Sequence, residues 1–163
     1  MFGMDIVLRP VGWIHSSERS SREDFWGDVV SEIRMDENWF SPDALEGLRD
    51  FSHVEVLFYL HGVSEDAVVS GLRHPRSNPN WPRVGIFAQR GKSRPNRIAA
   101  TVCRLLAVQG LTLRVQGLDA FDGSPVLDIK PLFVEFTPDR ASIRQPAWSH
   151  ELMADYFASG ERK

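Results

Sequence analysis

The sequence is poorest in cysteine. A single residue, Cys103, stands in 163. That excludes an internal disulfide and fits a reducing cytoplasm; within an apolar run, Cys103 reads as a buried small hydrophobe. No apolar run approaches the ~20 residues a membrane helix needs, so no membrane partner is expected. Met1 to Pro10 carries an early acid, Asp5, and no secretory pattern. The five histidines (His15, His53, His61, His74 and His150) share no metal-ligand spacing with Cys103, so no metal is expected. Three motifs are missing: the phosphate-cradling GxxxxGK(S/T) loop, the GxGxxG nucleotide fingerprint and the Gly-x-Ser-x-Gly elbow. Their absence argues against P-loop, doubly wound nucleotide-binding and α/β-hydrolase chemistry. There is no internal repeat and no low-complexity segment.

What is present is ordinary in amount and uneven in place. Hydrophobic residues make up 42% and charged residues 25%, as in a globular protein with a real core. One domain over residues 1–163 is expected, with its core at about 7–136 and a helical tail at about 149–159. The net charge of −3 opposes nucleic-acid binding over the whole surface. Yet residues 73–97 hold Arg73, Arg76, Arg83, Arg90, Lys92, Arg94 and Arg97, with no Asp or Glu. This is either the footprint of an anion or a solvated loop whose arginines pair with distant acids.

Periodicity predicts mainly strands. Residues 6–15 read as a strand broken at Pro10, residues 16–24 (Ser21 among them) as a polar loop, and Val29 to Met35 as a strand. Ser41-Pro42 starts a short helix. Ser52 to Leu60 is the clearest strand, with Val54, Val56, Phe58 and Leu60 on one face, and His61 closing it. Pro75, Pro79 and Pro82 make a loop around Trp81, which either covers the core or stacks on a base. From 84 to 131, apolar runs separated by Gln109-Gly110 and Asp122-Gly123 predict an antiparallel meander carrying the basic loop Arg90–Arg97; Asp122-Gly123 itself reads first as a hairpin turn. Ser149 is expected to cap a helix reaching Ser159, with Leu152, Met153, Tyr156 and Phe157 on one face. The residues alone therefore predict a mainly all-β chain.

Gly85-Ile86-Phe87-Ala88-Gln89-Arg90, Arg94-Pro95-Asn96 and the run Leu118 to Pro131 resemble the signature of the YaeB-like (TrmO-like, TsaA-like) family. Val11 to Ser16 and Leu45 to Val54 fit the same family, so the likeness spans roughly residues 7 to 136. It implies a compact single-sheet β-barrel with short peripheral helices, a homodimer, and S-adenosylmethionine as cofactor. It also implies methyl transfer to N6 of threonylcarbamoyladenosine in tRNA. Cofactor contacts are implied at His61, Gly62, Arg90, Ala100, Asp119, Ala120, Phe121 and Asp122. Two departures stand out. The family's Pro-Arg-Gln motif is absent from Arg22 to Gly27, where Trp26 covers either an adenine or the barrel rim. Arg97 replaces a common proline, which makes the loop more basic and less constrained. The separate C-terminal domain of longer members is not in the sequence, so this reads as a short form.

The residue types suit that cofactor. Arg90 can grip a carboxylate with two parallel N–H groups. Leu118 to Asp122 offers backbone groups, an aromatic face and two carboxylates that a sulfonium tolerates. Arg94, Asn96 and Arg97 would face the substrate, the arginines on phosphate and the amide on a base edge; the resemblance moves Lys130 toward the site as well, although Lys130 and Asp128 also share a strand face. Catalytic residues are not assigned: His61, Asp119 and Asp122 are candidate bases by type and stay unranked. Two other readings stay open, a cofactor- or RNA-binding module without its own activity and a methyltransferase for a small molecule.

Overall fold

A computed structural model describes residues 3–20 and 22–160. Ser21 and the two ends of the expected single-domain range lie outside the described residues. The strands are β1 (Gly12–His15), β2 (Val30–Met35), β3 (His53–Tyr59), β4 (Leu72–Arg73), β5 (Val84–Gly85), β6 (Ile98–Gln109), β7 (Thr112–Gln116) and β8 (Pro125–Pro131). Six of them close into an antiparallel barrel in the order β1-β2-β7-β6-β3-β8, and β4 and β5 form a separate two-stranded ribbon.

Alternation explains the wall. In β3, Val54, Val56 and Phe58 point inward and are almost wholly buried, while His53, Glu55, Leu57 and Tyr59 face outward and stay half-exposed. Ile14, Ile33, Leu113, Val115 and Val126 meet them from the other strands. β6 is long enough to serve two partners. Its first half pairs with β3 and its second with β7, and a register irregularity between Leu105 and Ala107 lets it bend between them. Closure pairs every barrel strand on both sides, which removes open edges.

Cys103 on β6 is 3% exposed. Burial, and secondarily the charge of Asp119, push its thiol up to about 12. At pH 8 the thiol is therefore protonated in the folded protein, and the reactive thiolate is absent. Iodoacetamide should leave the native chain unlabelled at that pH and alkylate it once in denaturant; rapid labelling of the native protein would contradict this burial.

Four expectations need correction. Residues 6–8 do not pair: β1 begins at Gly12, because Pro10 has no N–H to offer a ladder, and Ile6, Val7 and Leu8 are exposed. The stretch 84–131 is not a meander. Gln109-Gly110 does turn a hairpin between β6 and β7, with Gly110 at φ 56°, but β5 pairs with β4, and β8 lies between β3 and β1. Asp122-Gly123 is thus not a hairpin turn; it belongs to the crossing from β7 to β8. The terminal helix, α1 (Ala147–Met153), is shorter than expected. Ser149 lies inside it, its hydroxyl donating to the Pro146 carbonyl, and Tyr156 and Phe157 lie in turns beyond it. His61 falls after the end of β3, which stops at Tyr59. Other readings hold. Ser41 precedes a 3₁₀ turn at Pro42–Leu45, and Trp26 is buried at the barrel rim. Among the described residues no helix is long and apolar enough to cross a membrane.

Candidate active site

Strand directions fix which loops meet. β1, β3 and β7 run toward one end of the barrel, where β2, β6 and β8 begin. His15, Gln116, Val30, Ile98 and Pro125 therefore share that end with Tyr59. The loops that leave and enter there carry His61, Gly62, the Arg90–Arg97 loop and Asp119 to Asp122. Ala100 is three residues into β6, opposite Leu57.

All eight expected cofactor residues join in one run of neighbours. Arg90 Nη2 donates to the Ala100 carbonyl at 2.7 Å. The next residue, Thr101, donates its hydroxyl to Asp119 Oδ1 at 2.5 Å. Ala120 is buried beneath the turn, so its neighbours Asp119 and Phe121 are anchored from below. The Phe121 ring lies 4.8 Å from the His61 ring. Gly62 lies close against the Phe121 ring, since a Cβ would stand 2.5 Å from Phe121 Cζ and the ring would have to shift. Asp122 accepts the Ser16 amide at 3.1 Å and donates its own amide to the Glu18 carbonyl at 2.7 Å. The loop after β1 is thereby tied to the same turn.

The basic segment divides in two. Arg76 is half-buried, pairs with Asp24 at 2.8 Å, and bonds the Glu23 carbonyl. Arg97 turns back over the Tyr59 ring, 5.0 Å from its centroid, and donates to the Val63 carbonyl at 2.7 Å. Arg94 donates to the Gln89 carbonyl at 2.6 Å. Arg90, Lys92, Pro95 and Asn96 are exposed. The loop is not loosened by losing proline. Arg97 has φ 52°, a left-handed value that proline cannot adopt, and three hydrogen bonds hold it: its amide to Arg94, its carbonyl from Leu60, and its side chain to Val63.

Lys130 lies apart from these residues. It pairs with Glu55 near the far end of β8 and bonds Asp128 at 2.6 Å, which holds its ammonium above the usual lysine range. A cleft of about 500 Å³ also lies at that far end, among Val11, Met35, Phe40, Leu48, Phe51 and Ile129. No group of residues suited to hold a metal ion occurs among the described residues. Trp81, half-buried, donates its indole N–H to Glu151, so it braces α1.

Sequence reasoning missed Thr101, Asp24 and the role of Tyr156. The Tyr156 hydroxyl donates to Asp119 Oδ2 at 2.5 Å. Burial first, then the charge of Asp119, push that phenol far above its ordinary pKa. Phe25, with φ 66°, was a further signal out of reach, because backbone strain leaves no mark in composition.

Residues 20–137 match the model of the tRNA-methyltransferase O N-terminal domain. A probable S-adenosyl-L-methionine-binding protein of Methanothermobacter thermautotrophicus is 38% identical, over 82% of this chain and 94% of its own length. The tRNA (adenine(37)-N6)-methyltransferase of Escherichia coli is 35% identical over 81% of this chain, but the match spans only 59% of that protein. The crystal structure of TrmO from Pseudomonas aeruginosa superposes with a TM-score of 0.70 at 30% identity, covering 89% of this chain and 62% of the other. The closed barrel, the loops gathered at one end of it and these likenesses agree: the chain belongs to the tRNA-methyltransferase O N-terminal domain family.

Proposed function

We propose that this chain is an S-adenosylmethionine-dependent methyltransferase that methylates N6 of threonylcarbamoyladenosine in tRNA. The observation that carries the reading is the unbroken run of contacts from Arg90 through Ala100, Thr101, Asp119 and Phe121 to His61 and Gly62. The donor set fits the cofactor. Arg90 spends one N–H on Ala100 and keeps others for a carboxylate. The His61–Phe121 pair offers an aromatic surface, and Asp119 and Asp122 offer negative charge. S-adenosylmethionine, when bound, supplies an electrophilic methyl group on a sulfonium.

The chain's own contribution is alignment. In-line displacement rewards fixed reactants, worth several kcal/mol in well-oriented systems. The Asp119–Asp122 turn is held from three sides, by Thr101, Ser16 and Tyr156, so the groups it presents are preorganised. The exposed Arg90, Lys92 and Asn96 rim beside it suits the phosphate and base edges of an RNA. Arg94 and Arg97 act on that substrate by shaping the loop as well as by charge. Homodimer assembly and a cytoplasmic setting belong to the same proposal and rest on the likeness to the family.

A second reading has its own support. The Methanothermobacter protein, nearly matched in length, is named only as a probable cofactor-binding protein. One experiment separates the two. The chain is incubated with methyl-labelled S-adenosylmethionine and tRNA bearing threonylcarbamoyladenosine, beside tRNA lacking that modification. The expected result is label in the modified adenosine of the first tRNA only. Cofactor binding without label in either tRNA would favour the binding-module reading.

A further inference from the structure

The C-terminal segment lies outside the residues that match the family model, yet its Tyr156 reaches the candidate site. After α1, the chain runs back along the 25–27 turn. The Phe25 amide donates to the Asp155 carbonyl at 3.0 Å and the Trp26 amide to the Tyr156 carbonyl at 2.8 Å. Gly27 packs so tightly on the Phe157 carbonyl that no side chain fits there. Glu151 takes the Trp81 indole, and the Ser159 hydroxyl donates to Asp28 at 3.0 Å. Arg76, paired with Asp24, also stands 6.0 Å from the centre of the Tyr156 ring. The Tyr156 hydroxyl then reaches Asp119 Oδ2, while Thr101 takes Oδ1.

We propose that Tyr156 is a positioning residue of the cofactor site, holding the Asp119 carboxylate in one orientation through its hydroxyl while the C-terminal segment straps that hydroxyl in place. The inference rests on the reading of this barrel end as the S-adenosylmethionine site. A carboxylate on a turn after a strand can rotate; two hydroxyls from different elements, one per oxygen, remove that freedom before any ligand arrives. The remaining lone pairs of Asp119 then point where the fold sets them. Tyr156 need not touch the cofactor to matter.

The test is a calorimetric double-mutant cycle with S-adenosylmethionine on wild type, Tyr156→Phe, Asp119→Asn and the double variant, each checked by thermal melting. Tyr156→Phe is expected to weaken binding about tenfold, the scale of one hydrogen bond to a charged group. In the Asp119→Asn background the same change should do little, since its target is already altered. Equal affinities for wild type and Tyr156→Phe would overturn the proposal, as would an undiminished effect in the Asp119→Asn background. Should Tyr156→Phe fail to fold, fluorine NMR decides. The chain has two tyrosines, Tyr59 and Tyr156. In 3-fluorotyrosine-labelled Tyr59→Phe protein the one remaining resonance reports Tyr156. It is expected to shift on adding S-adenosylmethionine; a fixed resonance while calorimetry records binding would overturn the proposal. Absence of binding to the wild type would instead sink the site reading itself, and this inference with it.

Discussion

Phe58→Ala is expected to destabilise the protein by about 3–5 kcal/mol, the range for emptying a large aromatic site in a packed core. Phe58 is 1% exposed and is among the largest fully buried side chains. It sits on β3, facing Ala99 of β6 on one side and Val126 of β8 on the other. Closure matters to the magnitude. A strand in an open sheet can tilt to fill a void, whereas β3 is hydrogen-bonded along both edges and is held at its distance from the opposite wall. The loss is a large share of the 5–15 kcal/mol typical of a domain. Urea unfolding should show a lower midpoint with an unchanged slope. A loss below about 1 kcal/mol would mean that the barrel collapses around the gap, against the rigid-wall account.

Arg90→Ala is expected to weaken S-adenosylmethionine binding by about 1.5–3 kcal/mol, roughly ten- to 150-fold. The side chain is exposed, and the one hydrogen bond resolved for it goes to the Ala100 carbonyl, so folding should be little affected. That bond orients the guanidinium without using it up. Arg90→Lys keeps the charge and loses the planar fork, so it should recover only part of the affinity. Full recovery by lysine would reduce Arg90 to a point charge. An unchanged affinity in Arg90→Ala would remove it from the site.

The sequence made some of this legible and hid the rest for physical reasons. β3 was readable because one face of it meets the core and the other meets solvent, which writes a period of two into Val54, Val56 and Phe58. The β6–β7 hairpin was readable because Gly110 carries the positive φ its turn requires. β8 was readable as a strand but not as a neighbour of β3 and β1, since alternation records a face and not a partner. Barrel closure came from the family likeness instead.

The site divides along the same line. Arg90, Ala100 and the Asp119–Asp122 turn are candidates through the signature, and the fold gathers them at one barrel end. Tyr156 was counted with Leu152 and Met153 on a helix face, because the helical period was extended past Met153, where the chain breaks into turns. Its partner is 37 positions away. Likewise a count of cationic residues shows six arginines and one lysine in one acid-free segment, while Arg76 finds its acid 52 positions upstream. Arg76 pairs back to Asp24, as the solvated-loop reading expects, while Arg90 stays exposed.

The most direct test of the central claim is a calorimetric titration of the wild-type chain with S-adenosylmethionine. The account predicts saturable, one-site binding in the micromolar range, about −8 kcal/mol. It also predicts protection of the 119–122 amides from hydrogen exchange in the bound protein. No heat and no protection at millimolar cofactor would contradict it: the family's barrel would then be present without a working cofactor site.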